Sequence, residues 1–172
     1  EKYREIMDER RENQQGKLKF YHLHWPRDDF FFEKGPKILA VRKCQKPTFA
    51  YTEDEAYVMM AMNVIKCKRV NPKYLTALLN SKLIAFWLKH RGKMQGFQYQ
   101  VDKEPLVELP LIQTDHEKIF ATLVDYIIFL KENSTSKINE YVSNEHMIQS
   151  FEDVINACIY ELYFSCLLYT SD

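Results

Sequence analysis

Cationic and amide side chains are concentrated within ten residues of this chain, at positions 91–100, RGKMQGFQYQ. An amide side chain can form two hydrogen bonds with adenine, and an arginine can do the same with guanine, whereas a lysine binds phosphate oxygens without reading sequence. The segment therefore predicts a nucleic-acid-binding loop in which Lys93 contacts phosphate. The residues predicted to face bases are Arg91, Gln95, Gln98, Tyr99 and Gln100.

A second group of cations surrounds the segment PKILAVRKC at positions 36–44. Cations at such positions suit contacts with the phosphate backbone rather than with bases. The residues predicted to make these contacts are Arg27, Lys37, Arg42, Lys43 and Lys46, with Lys34 beside them. The alternative for each residue is that a long polar side chain only solvates a loop.

The distribution of charge separates the chain into a basic and an acidic part. Residues 1–100 carry 20 Lys and Arg against 11 Asp and Glu, residues 101–172 carry 4 against 13, and residues 56–100 contain no acidic residue. Such asymmetry within a chain of zero formal net charge indicates a polyanion as partner of the basic part. The alternative is a solvated basic surface that acidic helices balance.

Signatures of catalysis are absent from the sequence. The four glycines form neither a dinucleotide-binding nor a phosphate-binding loop, and no GxSxG or HExxH occurs. The segment NPKY at 71–74 is similar to the Asn-Pro-Pro-aromatic loop of adenine methyltransferases, but it lacks the second proline and opens a helix, so we interpret it as a helix cap. The four cysteines are far apart, which favours reduced thiols over a zinc site. We therefore predict no catalytic residue and no metal ligand.

Periodicity indicates the elements that would position the basic segments. Residues 1–15 have a helix-favouring composition that ends at Gly16. Alternating apolar residues predict strands at 37–43, 48–52 and 57–65. A period near four then predicts one helix from the Asn71 cap to Gly92, with an apolar stripe of Leu75, Leu78, Leu79, Leu83, Phe86 and Trp87. Two further strands are predicted at FQYQ (97–100) and PLVELPLIQ (105–113).

The last third of the sequence is predicted to be helical. One helix covers 116–133, with Ile119, Leu123, Tyr126, Ile127 and Leu130 on one side. After a polar break at NSTSK (133–137), a second helix covers 150–164, and the two helices are suited to form a hairpin. Residues 166–172 follow no pattern and are predicted to be a disordered or non-native tail.

Two quoted segments carry a resemblance to a known family: PKILAVRKCQKPTFAY, and YLTALLNSKLIAFWLKHRGKMQGFQYQVDKEPLVELPL. Their order, with the LLNSKL helix, a basic loop, an aromatic strand and LVELPL, resembles the C-terminal specificity domain of TaqI-type adenine-specific DNA methyltransferases and related single-chain restriction-modification enzymes. The resemblance covers roughly residues 25–113. It implies an α+β target-recognition domain that binds duplex DNA, joined in its parent protein to an adenine methyltransferase.

The expected organisation is a leader helix or linker at 1–16, a recognition domain at 17–113, a helical spacer at 114–165, and the tail. The fold class is α+β, a small mixed sheet with a packed amphipathic helix and C-terminal helices. We expect a cytoplasmic protein with double-stranded DNA as partner, without catalysis or cofactor of its own. The resemblance implies that the parent enzyme uses S-adenosylmethionine, and Mg²⁺ as well if it also cleaves DNA. Alternatives are a protein-interaction module that uses the C-terminal helices, including self-association, and a nuclease or methyltransferase fragment.

Overall fold

The computed structural model describes residues 2–22, 28–133 and 141–168, and the chain divides into two compact units, Glu1–Phe30 and Phe31–Asp172. The first unit contains helices α1 (Arg4–Asp8) and α2 (Arg11–Gln14). Arg10 between them has extended backbone angles (φ −62°, ψ 137°), which is why the helix predicted over 1–15 is formed as two short ones. A 3-10 helix, Asp29–Phe31, lies at the boundary of the two units in the sequence.

The described part of the second unit has an α+β fold, as predicted, with five helices, but its strands form two small antiparallel sheets instead of the one small mixed sheet that was expected. Its strands are β1 (Lys37–Val41), β2 (Lys43–Cys44), β3 (Phe49–Thr52), β4 (Met62–Ile65), β5 (Lys93–Gln95) and β6 (Gln98–Gln100). Its helices are α3 (Pro72–Leu79), α4 (Lys82–Arg91), α5 (Lys103–Val107), α6 (Glu117–Glu132) and α7 (Asn144–Leu168). None of the described helices has the length and apolar character needed to cross a membrane.

The first sheet, in the order β3-β1-β4, supplies the base of the core. Leu39 of β1 lies opposite Ala50 of β3 and Val64 of β4. Its neighbours Ile38 and Ala40 point to the other face and are buried, as the alternation in the sequence predicts. The predicted strand over 57–65 is confirmed only at its end, because the Met62 N–H turns back to the Met59 carbonyl oxygen at 3.1 Å.

Arg42 joins the two sheets. Its N–H donates to the Ala61 carbonyl oxygen (2.9 Å) and its carbonyl oxygen accepts from the Val101 N–H (2.7 Å). The Asn63 side chain adds a hydrogen bond to the Val101 carbonyl oxygen at 2.8 Å. The strand predicted over 37–43 therefore passes from the first sheet into the second, whose order is β2-β6-β5.

The helix predicted from Asn71 to Gly92 is interrupted. The Asn71 side chain caps α3, with its Oδ1 accepting from the N–H groups of Lys73 (2.8 Å) and Tyr74 (3.4 Å), which agrees with the capping interpretation of NPKY. Ser81 starts a second helix, because its Oγ accepts from the Ile84 N–H at 3.2 Å. This break shifts the phase of α4: Ile84 and Leu88 are buried, whereas the Phe86 predicted for the stripe is 62% exposed.

The segment PLVELPLIQ does not form the predicted strand. Its first residues form α5, where Pro105 occupies the third position, at which a helix tolerates proline because the N–H there has no partner within the helix. The Pro105 carbonyl oxygen accepts from Trp87 Nε1 at 2.9 Å. Residues 108–116 belong to neither helix nor strand. α5 is thus attached to α4 rather than to a sheet.

The C-terminal helices share the core of the sheet and α3. Phe120 and Val124 of α6, together with Ile155 and Ile159 of α7, belong to the same buried cluster as Tyr74. Helices α6 and α7 therefore pack against the preceding part of the unit, while the functional boundaries at 16/17 and 113/114 stay predictions.

The side of α6 that faces the core differs from the predicted one. Leu130 is buried and Leu123 and Ile127 pack against the cluster, but Ile119 and Tyr126 are exposed. The reason is that α6 contacts both α3 and α7, so its buried face is centred on Phe120 and Val124.

Helices α6 and α7 pack on each other as a hairpin would, with the rings of Tyr126 and Phe151 stacked at 5.6 Å. α7 is longer than predicted and extends to Leu168, with non-helical angles at Phe164 (φ −126°, ψ 16°). The predicted tail therefore begins inside a helix, and residues 169–172 lie outside the described residues. Most of the predicted polar break, 134–137, also lies outside them.

Candidate nucleic-acid interface

Five of the predicted DNA-binding residues lie on one face of the second sheet. Lys43 of β2 and Lys93 of β5 are both registered with Gln100 of the central strand β6, and Gln95 is registered with Gln98. Because side chains alternate along a strand, residues two positions apart share a face. This polar face consists of Lys43, Lys93, Gln95, Gln98 and Gln100.

The opposite face of the sheet carries the row Cys44, Tyr99 and Met94. Cys44 and Tyr99 pack against the hydrophobic core, so Tyr99 does not share the polar face with the glutamines as a base-facing residue would. Burial raises the pKa of the Cys44 thiol, and a hydrogen bond with the Thr48 backbone offsets only part of that rise. The row therefore holds the sheet to the core.

The predicted basic loop is a β-hairpin. β5 and β6 are joined by the two residues Gly96 and Phe97, and Gly96 has a φ of 60°. No described residue other than glycine has a positive φ, so the turn has the type II′ arrangement that suits the twist of a hairpin. Phe97, predicted as part of a strand, lies at the tip with its side chain 96% exposed.

The hairpin follows α4 at a close approach of two backbone segments. The Gly92 N–H donates to the Leu88 carbonyl oxygen at 3.0 Å. A Cβ atom on residue 92 would lie 2.5 Å from that oxygen and 3.8 Å from the Gln100 carbonyl oxygen. Gly92 thereby fixes the direction in which β5 leaves the helix.

The cations of the polar face are available for binding. Lys43 and Lys93 are exposed, and neither forms an ion pair among the residues that the structure describes. Gln100 Nε2 donates to Asp102 Oδ2 at 2.8 Å, while the other oxygen of Asp102 accepts from Arg42 Nη2 at 3.2 Å. Asp102 thus orients one amide of the face and holds Arg42 beside it.

Arg91 lies at the end of α4, next to the hairpin. Its Nη2 donates to Glu108 Oε2 at 3.0 Å, and its guanidinium lies 5.6 Å from the centre of the Trp87 ring. Both partners of the ion pair are more than half exposed, so the pair is weak. In this structure Arg91 is therefore paired with a carboxylate that a base or phosphate would have to replace.

Two predicted phosphate ligands, Lys37 and Lys46, lie away from the polar face. Lys37 is 0% exposed, and its Nζ donates to the carbonyl oxygens of Glu33 (3.0 Å), Gly35 (3.4 Å) and Asp54. It cannot reach a phosphate in this structure, and we remove it from the set. Lys46 is exposed and 4.0 Å from Glu152 Oε2 of α7, whereas Arg27 lies outside the described residues.

Three residues that sequence patterns did not single out, Asp102, Glu108 and Phe97, lie at the candidate interface. Asp102 binds Arg42 and Gln100, and Glu108 binds Arg91. These pairs depend on contacts between elements, so no local sequence pattern indicates them. Phe97 could have been found from its place after Gly96, because Gly-X between alternating segments favours a two-residue hairpin turn. Within residues 2–22, 28–133 and 141–168, no group of three or more His, Cys, Asp or Glu residues is arranged to hold a metal ion.

The chain is similar in sequence to known proteins and matches a known family. The chain is 23% identical over 137 residues to the type II methyltransferase M.HincII of Haemophilus influenzae, an alignment that covers 74% of the chain and 26% of that protein. The type II methyltransferase M.HindII of the same species, strain Rd, is also 23% identical over 137 residues, with 25% of its length covered. The chain thus spans about a quarter of these relatives. The profile of the TaqI-like C-terminal specificity domain matches residues 2–111, so the chain belongs to that family.

Proposed function

We propose that this chain binds double-stranded DNA through the polar face of the β2-β6-β5 sheet and selects the site on which an attached adenine methyltransferase acts. The observation that carries the proposal is the register that places Lys43, Lys93 and three glutamines on one face. Membership of a specificity-domain family supports it. So does the absence of acidic residues from positions 56–100.

The major groove admits a two-stranded β-ribbon, and β5 and β6 form such a ribbon with β2 beside it. Lys43 and Lys93 lie on the two outer strands with Gln100 between them, so phosphates would be bound at the edges and base edges in the middle. Asp102 occupies one N–H of the Gln100 amide. The second N–H and the carbonyl oxygen remain, which is the donor and acceptor pair that adenine requires.

The catalytic work is assigned to the parent protein. Both relatives are type II methyltransferases about four times as long as the matched part, and this chain contains no motif for binding a cofactor. We propose that the parent binds S-adenosylmethionine in another domain, and Mg²⁺ as well if it also cleaves DNA. The present chain would position that domain.

Fluorescence anisotropy with mixed-sequence duplex DNA at low salt tests the proposal. We expect binding that weakens with salt, by about one unit of the log–log slope for each phosphate contact. The variant with both Lys43→Glu and Lys93→Glu should lose most of the affinity. Gln98→Ala should leave binding to mixed DNA nearly unchanged and reduce discrimination between duplexes selected from a random pool and unselected ones.

A matched control replaces two exposed lysines of α6, Lys118 and Lys131, with glutamate. This control changes the net charge by the same amount on a helix that packs against α3 and α7. Equal losses for the two double variants would show a non-specific charge effect and contradict the assignment to the polar face. No binding of duplex DNA by the native chain would contradict the proposed function itself.

A further inference from the structure

Phe97 at the tip of the hairpin lies almost entirely in solvent. Its side chain is 96% exposed, the largest exposed fraction among the large hydrophobic residues that the structure describes. Among the residues that the structure describes, none forms a ring contact or a cation–π contact with it. A phenylalanine that packs against nothing leaves a large apolar area in water, and burying that area against a partner would be favourable.

The position of Phe97 is fixed by its neighbours. Gly96 supplies the left-handed backbone (φ 60°) that closes the turn, and Gln95 pairs with Gln98 directly behind it. The ring therefore projects beyond the last polar pair of the face. A ribbon that enters the major groove with Gln95 and Gln98 against base edges would carry Phe97 onto the next base step.

Resting on the proposed function, we propose that Phe97 selects thymine by contacting its C5-methyl group. In the major groove, thymine is the unmodified base that presents a methyl group, and apolar side chains are the groups that contact it. The three glutamines of the polar face have no apolar surface of comparable size. Phe97 would thus select by apolar contact instead of by hydrogen bonds. It would require one thymine next to the bases that Gln95 and Gln98 contact.

Replacement of thymine by deoxyuridine tests this contact, because it removes the methyl group and keeps base pairing. Duplexes enriched by the native chain from a random pool are resynthesised with each thymine replaced in turn. We expect one replacement to weaken binding about fourfold, the equivalent of about 0.8 kcal/mol for one buried methyl-sized group. The Phe97→Ala chain should bind the thymine and deoxyuridine duplexes equally well, and Phe97→Leu should keep part of the difference.

Met59→Ala serves as the control, since Met59 is 83% exposed on a different loop; this variant should keep the native preference for thymine. The contact is overturned if no replacement weakens binding by the native chain, or if the preference persists in Phe97→Ala. It is also overturned if 2-aminopurine fluorescence shows Phe97-dependent unstacking without a preference for thymine, which would indicate insertion between bases. No enrichment of any duplex would instead contradict the proposed function.

Discussion

The side chain of Asn80 pairs with the backbone of Phe49 as a neighbouring strand would. Its Oδ1 accepts from the Phe49 N–H at 3.1 Å and its Nδ2 donates to the Phe49 carbonyl oxygen at 2.8 Å. The same Nδ2 reaches the Thr76 carbonyl oxygen at 2.9 Å. β3 is an edge strand, so this one amide satisfies backbone groups that the sheet leaves open and ties that edge to the end of α3.

Asn80→Ala is expected to destabilise the chain by about 1–2 kcal/mol, because Phe49 loses both backbone partners. Urea unfolding followed by circular dichroism measures the change. Asn80→Asp is the matched control, because its carboxylate still accepts from the Phe49 N–H but cannot donate to the carbonyl oxygens of Phe49 and Thr76. The loss of stability in Asn80→Asp should therefore differ from the loss in Asn80→Ala. Equal stability of all three chains would contradict the role of this pair.

Gly92→Ala is expected to cost about 1–3 kcal/mol and to weaken DNA binding, because the new Cβ atom would overlap the Leu88 carbonyl oxygen. Either the end of α4 or the start of β5 must move. Urea unfolding and anisotropy measure the two effects. Lys89→Ala, an exposed change in the same turn, should alter stability by less than about 0.5 kcal/mol. A Gly92→Ala chain with native stability and binding would contradict the proposed positioning.

Lys37→Met and Lys43→Met should affect different properties, although the two lysines are only six residues apart: the first should lower stability and the second should weaken DNA binding. Lys37→Met leaves three backbone carbonyl oxygens without their donor and should destabilise the chain by about 3 kcal/mol. Lys43→Met should leave stability nearly unchanged and reduce the salt dependence of DNA binding by about one slope unit. Thermal unfolding and salt-dependent anisotropy separate the two. A reduced slope for a folded Lys37→Met chain would return Lys37 to the phosphate-binding set.

Stability at high pH should depend on Tyr74. Burial raises the pKa of Tyr74 from 10.0 to about 12, with smaller contributions from Tyr163 and Glu117. The folded chain therefore holds this proton more tightly than the unfolded chain, so the stabilisation is complete below pH 10 and is lost as pH rises towards 12. Its size is about 2 kcal/mol.

Tyr74→Phe tests this dependence. At pH 7 it should be less stable by about 1 kcal/mol, because the hydrogen bond from the Tyr74 hydroxyl to the Ile112 carbonyl oxygen (2.8 Å) is lost. Denaturant unfolding from pH 8 to 12 should show the gap between the two chains narrowing and then reversing. A gap that stays constant over this range would contradict the raised pKa.

Glu108→Gln is expected to strengthen DNA binding about two- to threefold at low salt. The change releases Arg91 from an exposed ion pair worth about 0.5 kcal/mol, and high salt should abolish the gain. Glu145→Gln, an exposed residue at the start of α7, makes the same charge change and should give no gain. If Glu108→Gln strengthens binding equally in an Arg91→Ala chain, Arg91 is not the residue released.

Local patterns predicted the elements better than their boundaries. The Asn71 cap, β3 and the two C-terminal helices follow from local chemistry, and the structure confirms them. The break at Ser81 was missed because the local cap is only part of its support: besides the bond from the Ile84 N–H to Ser81 Oγ, the Lys82 N–H donates to Asn156 Oδ1 of α7 at 2.7 Å. With that break unseen, the apolar stripe was continued in the wrong phase and included Phe86.

The residues of the polar face were also predictable only where the signal in the sequence is local. Residue types alone identified Lys43, Lys93 and the glutamines, because long polar side chains in an acid-free segment are a local signal. Placing Lys37 among them was wrong because its burial depends on the carbonyl oxygens of two loops, at 33–35 and at 54. The orientation of Tyr99 could not be predicted without the strand register, which places its side chain on the face that packs against the core.

The alternation of the second sheet separates the proposed DNA-binding residues from the residues that pack against the core. Cys44 and Tyr99 pack against the core from one side, so every residue of the polar face can change without altering that packing. Randomising Lys43, Lys93, Gln95, Gln98 and Gln100 would therefore produce a library in which nearly all members fold. Such a chain is a scaffold for evolving new sequence preferences, because substitutions that alter what it binds do not first have to be tolerated by its interior.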